Sequence, residues 1–423
     1  MLKTLFKYFK IFMITILILF FIQNLVIRIP HRFVEKNISE SLDYYNNVND
    51  IQSVINSNSF FAESLSIHYY SDCITLNMIN NMDNSSPFKS QVLMNYYYGV
   101  GNTMCESLNT SIIHNVEAND EYSRYWHGSV IFLRPLLTFM NVRTIKVILC
   151  ILFFTLIAYL IYLILKKSPL LAVFFSVSLV CSMFYLVPMC FEYYFAFLIS
   201  IIASIIVMRN LNREDEFYYK LFTIIGVCAC FFDFLAYEVL TIMFPLFFKV
   251  YFDNYRNENI EFKNNFVFII KCSVLWGCSY LTTFVFKWIL SVIILGPTQF
   301  LEIWDSAKVR IYDTPHNKFY MFLQALMRIA SMVFPFSLFK KAPIFFIIYI
   351  LFILYIYCCF IPKEKRKFLF LLFIISSIGL LRIMVLFAHS WGHYFFDYRN
   401  LCPFIMWSLI VIYEVIFCKR RGE

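Results

Sequence analysis

The richest concentration of reactive side chains lies between Asn119 and His127, in the stretch NDEYSRYWH. If this stretch is helical, Asp120, Arg124 and His127 share one helix face, because residues three and four positions apart are neighbours on a helix. A carboxylate, a guanidinium and an imidazole on one face can take a proton from a hydroxyl group and hold a phosphate. The alternative is a belt of Tyr and Trp at a membrane interface with an ordinary salt bridge.

A second group lies between His389 and Arg399, in the stretch HSWGHYFFDYR. His389 and His393 are four positions apart, which would suit two metal ligands on a helix. However, Gly392 weakens such a helix and no third ligand stands nearby, so the pattern disfavours a metal site. Asp397 and Arg399 are better suited to contacts with hydroxyl groups and phosphate.

Several other charged residues stand inside or at the ends of apolar segments. Arg382 lies about two turns inside one such segment, where a charge is costly and often functional, although an arginine can also extend its side chain to the membrane surface. Arg134, next to Pro135, is a candidate for substrate binding or for an anchor to lipid headgroups. The remaining candidates of this kind are Asp233 and Lys287.

Membrane helices must position these side chains. Of the 423 residues, 61% are hydrophobic and 15% are charged, and the mean hydropathy is +0.68. A soluble domain averages roughly 45–50% apolar and about 25% charged residues. The composition therefore excludes a water-soluble enzyme, a disordered chain and a collagen-like chain. Because one crossing of a bilayer takes on the order of 20 apolar residues, we predict an all-α, polytopic transmembrane helical bundle with about ten spans.

Three regions are predicted along the chain. Residues 1–29 form an uncleaved signal-anchor span, because a long apolar run is followed by no small-residue cleavage site. Residues 30–143 form a long extracytoplasmic loop domain, and residues 144–423 form a multi-span bundle with outer loops at 287–342 and 389–400. The spans predicted in the third region are 144–165, 169–188, 191–208, 221–237, 239–252, 266–286, 343–361, 368–388 and 401–417.

The orientation follows from the Lys and Arg residues. Placing their clusters in the cytoplasm, including Lys419-Arg420-Arg421 at the end, satisfies the positive-inside rule at every short loop. Both termini of this multi-pass cell-membrane protein are then cytoplasmic, and the apolar segment 318–338 is interpreted as re-entrant or as lying on the outer face. The same loops account for the net charge of +9, which therefore does not indicate a nucleic-acid partner.

Two further sequence features bear on chemistry and compartment. Cys73 and Cys105 fall in the polar loop domain, where they either form one disulfide in an oxidising compartment or are both free. No P-loop, Gly-rich dinucleotide turn or GxSxG elbow is found, so nucleotide-driven chemistry on the cytoplasmic side is disfavoured.

This layout resembles the GT-C superfamily of integral-membrane glycosyltransferases, which have a first span, an outer loop with an acidic catalytic motif and a many-helix bundle. The acidic motif of that family is similar to the run Asp120-Glu121-Tyr-Ser-Arg124-Tyr125, and the run LRPL at 133–136 resembles the stretch that follows it. Asp72, in YYSD, is a second candidate for the acid of the outer loop.

The resemblance implies an enzyme of cell-envelope glycan assembly, which passes a sugar from a polyprenyl-phosphate carrier to a glycan or polymer acceptor on the outer face. Asp120 or Asp72 would take the proton of the acceptor hydroxyl. The other catalytic candidate is Glu121, and the substrate-binding candidates are Arg124, Tyr125, His127, Arg134, Asp233, Lys287, Arg382, His389, His393 and Arg399. The family works without a metal or with a divalent cation, so both remain open. The alternatives are a Wzy-like polysaccharide polymerase or ligase, and a transporter or flippase of lipid-linked glycans.

Overall fold

The chain is folded into α-helices, as a computed structural model shows. The structure describes residues 2–46, 59–65, 67, 69–255, 261–312 and 317–418. Within these ranges there is no β-strand, and one isolated antiparallel bridge pairs Tyr96 with Asp120. The predicted all-α class is confirmed, while the C-terminal basic cluster at 419–421 lies outside the described residues.

The helices in chain order are α1 (Leu2–Ile27), α2 (Glu35–Ser39), α3 (Leu42–Asn46), α4 (Phe60–Ser64), α5 (Tyr69–Asn80), α6 (Pro87–Leu93), α7 (Met104–Ile113), α8 (Val130–Leu136), α9 (Val142–Leu165), α10 (Pro169–Cys181), α11 (Phe191–Arg209), α12 (Asp215–Phe232), α13 (Leu240–Asn254), α14 (Phe262–Leu295), α15 (Thr298–Tyr312), α16 (Lys318–Met332), α17 (Ala342–Phe360), α18 (Lys363–Ser376), α19 (Ile378–Val385), α20 (Phe387–Gly392), α21 (Tyr394–Asp397) and α22 (Cys402–Cys418).

Seven helical segments of the described chain are long and apolar enough to cross a bilayer. They are Leu5–Ile27, Val142–Leu165, Phe191–Arg209, Phe262–Leu295, Ala342–Phe360, Lys365–Val385 and Tyr394–Phe417. Their outward faces are apolar: on α17, Ile344, Ile348 and Leu351 are between 53% and 61% exposed. Continuous apolar surface of this kind is unfavourable in water and suits lipid. The chain is therefore a multi-pass membrane protein.

The other apolar segments form shorter or more buried helices. The predicted span 169–188 contains α10, which has 13 residues, followed by a 3-10 helix at Phe184–Met189. The predicted spans 221–237 and 239–252 correspond to α12 and α13, which a tight turn joins. Helix α13 is buried on nearly every side by neighbouring helices, so it forms the centre of the bundle.

Helix α14 extends further than the predicted span 266–286. It runs for 34 residues to Leu295 and ends at Gly296, whose φ of 93° only glycine adopts readily. Residues 287–295, predicted as the start of an outer loop, are therefore helical. In contrast, α16 has 15 residues and rises about 22 Å, which is less than the roughly 30 Å of a hydrocarbon core. Segment 318–338 is not among the seven long apolar helical segments of the described chain.

In the described part of region 30–143, short helices pack against the first span. Arg134 is fully buried and donates from its two terminal nitrogens to the Ile79 and Ile29 carbonyl oxygens, each at 2.7 Å. A disulfide between Cys73 and Cys105 joins α5 to α7. Of the two alternatives for these cysteines, the structure contains the disulfide, and Arg134 takes a structural position within the region.

Candidate active site

Two adjoining cavities bring the polar residues and the membrane-facing surface together. The first, termed here the polar cavity, has a volume of about 90 Å³ and is lined by Tyr70, Ser71, Ile74, Tyr122, Tyr125, Glu192, Phe234, Arg310, His389 and His393. The second, termed the apolar groove, has a volume of about 520 Å³ and is lined by Arg124, Tyr125, Leu235, Tyr280, Leu281, Phe284, Val285, Trp288, Ile303, Ser306, Ala307, Arg310, Val385 and Leu386. Tyr125 and Arg310 line both cavities, so the two spaces meet at these residues.

One face of α14 forms a wall of the apolar groove. Tyr280, Phe284 and Trp288 are spaced four residues apart, which places their rings on one side of the helix. Neighbouring ring centres are 5.2 and 5.9 Å apart. Leu281 and Val385, which also line the groove, are 63% and 62% exposed. The groove is therefore open towards the lipid-facing side and can accept a hydrocarbon chain.

Two arginines stand where the groove meets the polar cavity. The guanidinium carbon of Arg124 lies 4.7 Å from the ring centre of Tyr122, and that of Arg310 lies 5.6 Å from the ring centre of Tyr125. In each arginine Nε is buried and has no hydrogen-bond partner within the described ranges. The ranges likewise contain no carboxylate within 4.0 Å of either guanidinium. Both cations can therefore donate charge-assisted hydrogen bonds to an anion at the junction.

Glu192 supplies the carboxylate of the polar cavity. It lies in the first turn of α11, and the Ser71 hydroxyl faces both this carboxylate and the Cys190 thiol. On the opposite side, the rings of His389 and His393 are 4.4 Å apart. The cavity therefore places one acid and two imidazoles next to the arginine junction.

The stretch 119–127 is not helical in the structure. The backbone pairs with Tyr96 instead: Asn119 and Asp120 both donate to the Tyr96 carbonyl oxygen, and Tyr96 donates to that of Asp120 at 3.0 Å. This extended pairing is incompatible with helical hydrogen bonds, so Asp120, Arg124 and His127 do not share a helix face. Arg124 and Tyr125 nevertheless line the apolar groove.

The two predicted acids of this stretch are held by hydrogen bonds within the fold. The exposed Asp120 carboxylate accepts from the Tyr96 hydroxyl at 2.8 Å and from the Glu121 backbone N–H at 2.7 Å. The Glu121 carboxylate accepts from the Ser123 N–H at 2.6 Å and from the Gln299 side chain at 2.9 Å. Neither residue is part of the lining of the polar cavity.

Asp72 is fully buried and forms an ion pair with Lys146. It also accepts hydrogen bonds from the Phe191 backbone N–H at 2.8 Å and from the Tyr45 hydroxyl at 3.3 Å. Phe191 immediately precedes Glu192, and Tyr70 and Ser71 immediately precede Asp72. Asp72 therefore ties α5 to the start of α11 and positions cavity residues from both helices.

His127 and Lys287 are buried beside the site. His127 adopts φ 52°, and its Nε2 is 2.9 Å from the Tyr122 carbonyl oxygen. Burial, reinforced by the charge of Lys287, lowers the pKa of His127 to about 3, so its imidazole is neutral. The Lys287 ammonium donates to the carbonyl oxygens of Gln91 and Val92 at the end of α6, at 3.1 and 2.7 Å. Both residues support the walls rather than face the cavities.

A buried ion cluster lies behind the two histidines. Arg382 donates to the Glu238 carboxylate at 2.5 Å and to both oxygens of Asp397 at 2.5 and 2.6 Å. Asp233 accepts from the backbone N–H groups of Ala236 and Tyr237 and so closes the turn between α12 and α13. The charge of Arg382 is therefore matched within the fold.

The predicted site residues thus fall into two groups. Those that line a cavity are Arg124, Tyr125, His389 and His393. Those that lie outside both cavities are Asp72, Asp120, Glu121, His127, Arg134, Asp233, Lys287, Arg382 and Arg399. The sequence analysis missed Glu192, although it is the one acid in the predicted span 191–208. Across the described ranges no group of three or more His, Cys, Asp or Glu residues is arranged to hold a metal ion.

Comparison of the chain with protein-family models, with curated proteins and with solved structures gives no match.

Proposed function

We propose that the protein is a membrane glycosyltransferase, which moves a sugar from a polyprenyl-phosphate carrier to an acceptor hydroxyl on the outer face of the membrane. The observation that carries this proposal is the junction of a lipid-facing apolar groove with a small polar cavity at Tyr125 and Arg310, with Arg124 in the adjacent wall of the groove. A prenyl-phosphate sugar has the same three parts in the same order. In this proposal the chain lies in the apolar groove, the phosphate lies at the arginines and the hydroxyl groups of the sugar face the polar cavity.

The phosphate of such a carrier is best held by Arg124 and Arg310. Each retains donor capacity at a buried nitrogen, and hydrogen bonds between ions are roughly twice as strong as those between neutral groups. Their attraction for the phosphate increases as charge develops on its leaving oxygen, which stabilises the transition state. The aromatic rings on which both guanidinium groups stack keep them oriented towards the junction.

Glu192 is the best-placed general base. In a direct displacement, its carboxylate takes the proton of the acceptor hydroxyl while the hydroxyl oxygen bonds to the anomeric carbon of the sugar. The bond from that carbon to the phosphate oxygen breaks, and the phosphate leaves with the electron pair. This assigns to Glu192 the role that the sequence suggested for Asp120 or Asp72.

The proposal includes a membrane orientation. The region 30–143 faces the outside, both termini face the cytoplasm, and α10, α12 and α13 complete a bundle of about ten spans in the cell membrane. The Cys73–Cys105 disulfide supports this orientation, because disulfides persist in oxidising compartments. The positive-inside distribution of Lys and Arg supports it independently.

The decisive experiment uses purified protein in proteoliposomes with a panel of polyprenyl-phosphate sugars and glycan acceptors. Glu192→Gln is expected to lower transfer by about 10²–10⁴-fold, the usual contribution of a general base, while binding of the prenyl-phosphate donor persists. The matched control is Glu302→Gln, which changes an exposed carboxylate on α15 and should transfer at the wild-type rate. Wild-type activity in Glu192→Gln would overturn the assigned base. Movement of the lipid between leaflets without any sugar transfer would replace the transferase with a flippase.

A further inference from the structure

Arg399 is a buried cation that the proposed reaction does not use. It lies in the 3-10 helix Tyr398–Leu401, and it is 1% exposed. One terminal nitrogen donates to the Tyr237 hydroxyl at 3.0 Å. Its Nε and its other terminal nitrogen have no hydrogen-bond partner within the described ranges, which also contain no carboxylate within 4.0 Å of it.

Aromatic rings surround the guanidinium without neutralising it. Its carbon atom lies 4.6 Å from the ring centre of Tyr398 and 5.6 Å from that of Tyr193. The Tyr193 hydroxyl is also buried and has no hydrogen-bond partner in the described part of the chain. Two guanidinium nitrogens of Arg399 and the Tyr193 hydroxyl can therefore each donate a hydrogen bond for which the described residues supply no acceptor.

The nearby carboxylate cannot serve as the counter-charge. Asp397, two residues before Arg399, accepts from Arg382 with both oxygens and from the Asn400 side chain at 3.2 Å. Arg382 also forms an ion pair with Glu238, so two carboxylates flank Arg382 while none in the described ranges flanks Arg399. A buried charge that is neither paired nor fully hydrogen-bonded is strongly unfavourable, so the two unsatisfied nitrogens of Arg399 call for an anionic acceptor.

We infer that Arg399 and Tyr193 bind a small inorganic anion of halide size. The unsatisfied groups can all donate, which suits an acceptor-only ligand, and the single uncompensated positive charge suits a monoanion. The rings of Tyr193, Tyr237 and Tyr398 favour a weakly hydrated ion over a strongly hydrated one. The phosphate of the lipid carrier is not this ligand, because Arg399 lines neither the polar cavity nor the apolar groove.

The test is the thermal stability of the purified full-length protein as gluconate is replaced by chloride or bromide at constant ionic strength. The melting temperature of the wild type is expected to rise and saturate with either halide. Tyr193→Phe, which keeps the ring and removes the hydroxyl, should need about tenfold more halide for half of the effect, since one hydrogen bond to an ion is lost. Arg399→Met should lose the halide dependence completely.

Tyr194→Phe is the matched control. The Tyr194 hydroxyl is also buried without a partner, but its ring contacts Phe153, and it is not one of the rings around Arg399. This variant should therefore titrate like the wild type. A melting temperature that does not respond to halide in the wild type overturns the anion site, as does an unchanged halide titration in Tyr193→Phe. If Arg399→Met does not fold, the comparison of Tyr193→Phe with Tyr194→Phe still tests the anion site. Sugar transfer is a separate measurement, so either proposal can fail alone.

Discussion

Arg382 and His389 donate hydrogen bonds to the same acceptor, the carbonyl oxygen of Leu235. Leu235 has φ 66°, which is uncommon for a residue other than glycine. The ion cluster of Arg382 therefore fixes this turn, and the turn holds His389 at the polar cavity. Arg382, placed by sequence among the substrate-binding residues, is in the structure a positioning residue.

Removing Arg382 should destabilise the protein severely. Arg382→Met leaves Glu238 and Asp397 buried without their cation, and breaking a buried ion pair in this way costs about 3–5 kcal/mol. The free energy of unfolding in detergent measures the loss. The exposed pair of Lys308 and Asp305 provides the contrast, because Lys308→Met should change the same quantity by less than about 1 kcal/mol. Equal losses in the two variants would contradict the structural role of the cluster.

The stability of the protein should decrease as the pH falls below about 6.5. The pKa of His127 is lowered to about 3 by burial and by Lys287, and burial also lowers the pKa of His389. Between the folded and unfolded pKa values the unfolded state binds more protons, so stability is present above about pH 6.5 and is lost on acidification. In this range each histidine lowers the free energy of unfolding by up to about 1.4 kcal/mol for each pH unit of acidification.

Substitution measures how much His127 contributes to this pH dependence. His127→Asn removes the titrating ring, and asparagine tolerates the positive φ at this position. The variant should show a shallower fall in the free energy of unfolding between pH 6.5 and pH 4 than the wild type. Parallel curves for the two proteins would show that His127 does not contribute.

Opening the Cys73–Cys105 disulfide should weaken both the fold and the site. Its closure over a sequence separation of 32 residues is typically worth about 2–4 kcal/mol, and Cys73 lies two residues from Ser71 in the cavity wall. The double variant Cys73→Ser/Cys105→Ser should therefore melt at a lower temperature and transfer sugar more slowly. Cys278→Ser, which replaces an exposed free cysteine, serves as the control and should match the wild type in both measurements.

Filling the apolar groove should affect long-chain donors selectively. Ala307 lines the groove, and Ala307→Trp places a bulky ring where the prenyl chain is proposed to lie. The KM for a long-chain donor should rise at least about tenfold, the order of effect of losing a few buried methylene contacts, while a short-chain donor should be turned over as before. Val309→Trp, at an exposed position on the same helix, should leave both donors unaffected. A rise in KM that does not depend on chain length would contradict the placement of the chain.

The apolar helices were the most predictable part of the fold, because a long apolar run has few alternatives to a membrane helix. Their ends were less predictable. The end of α14 was predicted near Lys287 because a lysine usually marks a membrane boundary, yet here the ammonium is satisfied by the carbonyl oxygens of Gln91 and Val92. Those acceptors are nearly two hundred residues away in sequence, so no local pattern could reveal them.

The candidate site was predictable in composition more than in arrangement. Arg124 and Tyr125 of the stretch 119–127 line the groove, but the shared helix face considered for this stretch is absent. Tyr96 pairs with Asp120 instead, and such a pairing cannot be read from local residue spacing. Arg134 and Lys287 were selected as charges near lipid. Both donate hydrogen bonds to backbone carbonyl oxygens of distant segments. Glu192 could have been selected from the sequence as a site candidate, since a single carboxylate within an apolar span is costly unless it has a function.

The disulfide between Cys73 and Cys105 has a consequence for biogenesis. In the proposed orientation these cysteines become oxidised only after the region has been exported, because cytoplasmic thiols are kept reduced. The cavity wall formed by Tyr70 and Ser71 is therefore completed on the far side of the membrane. A newly synthesised chain would therefore reach its full transfer rate only after export, in the compartment where its acceptor is found.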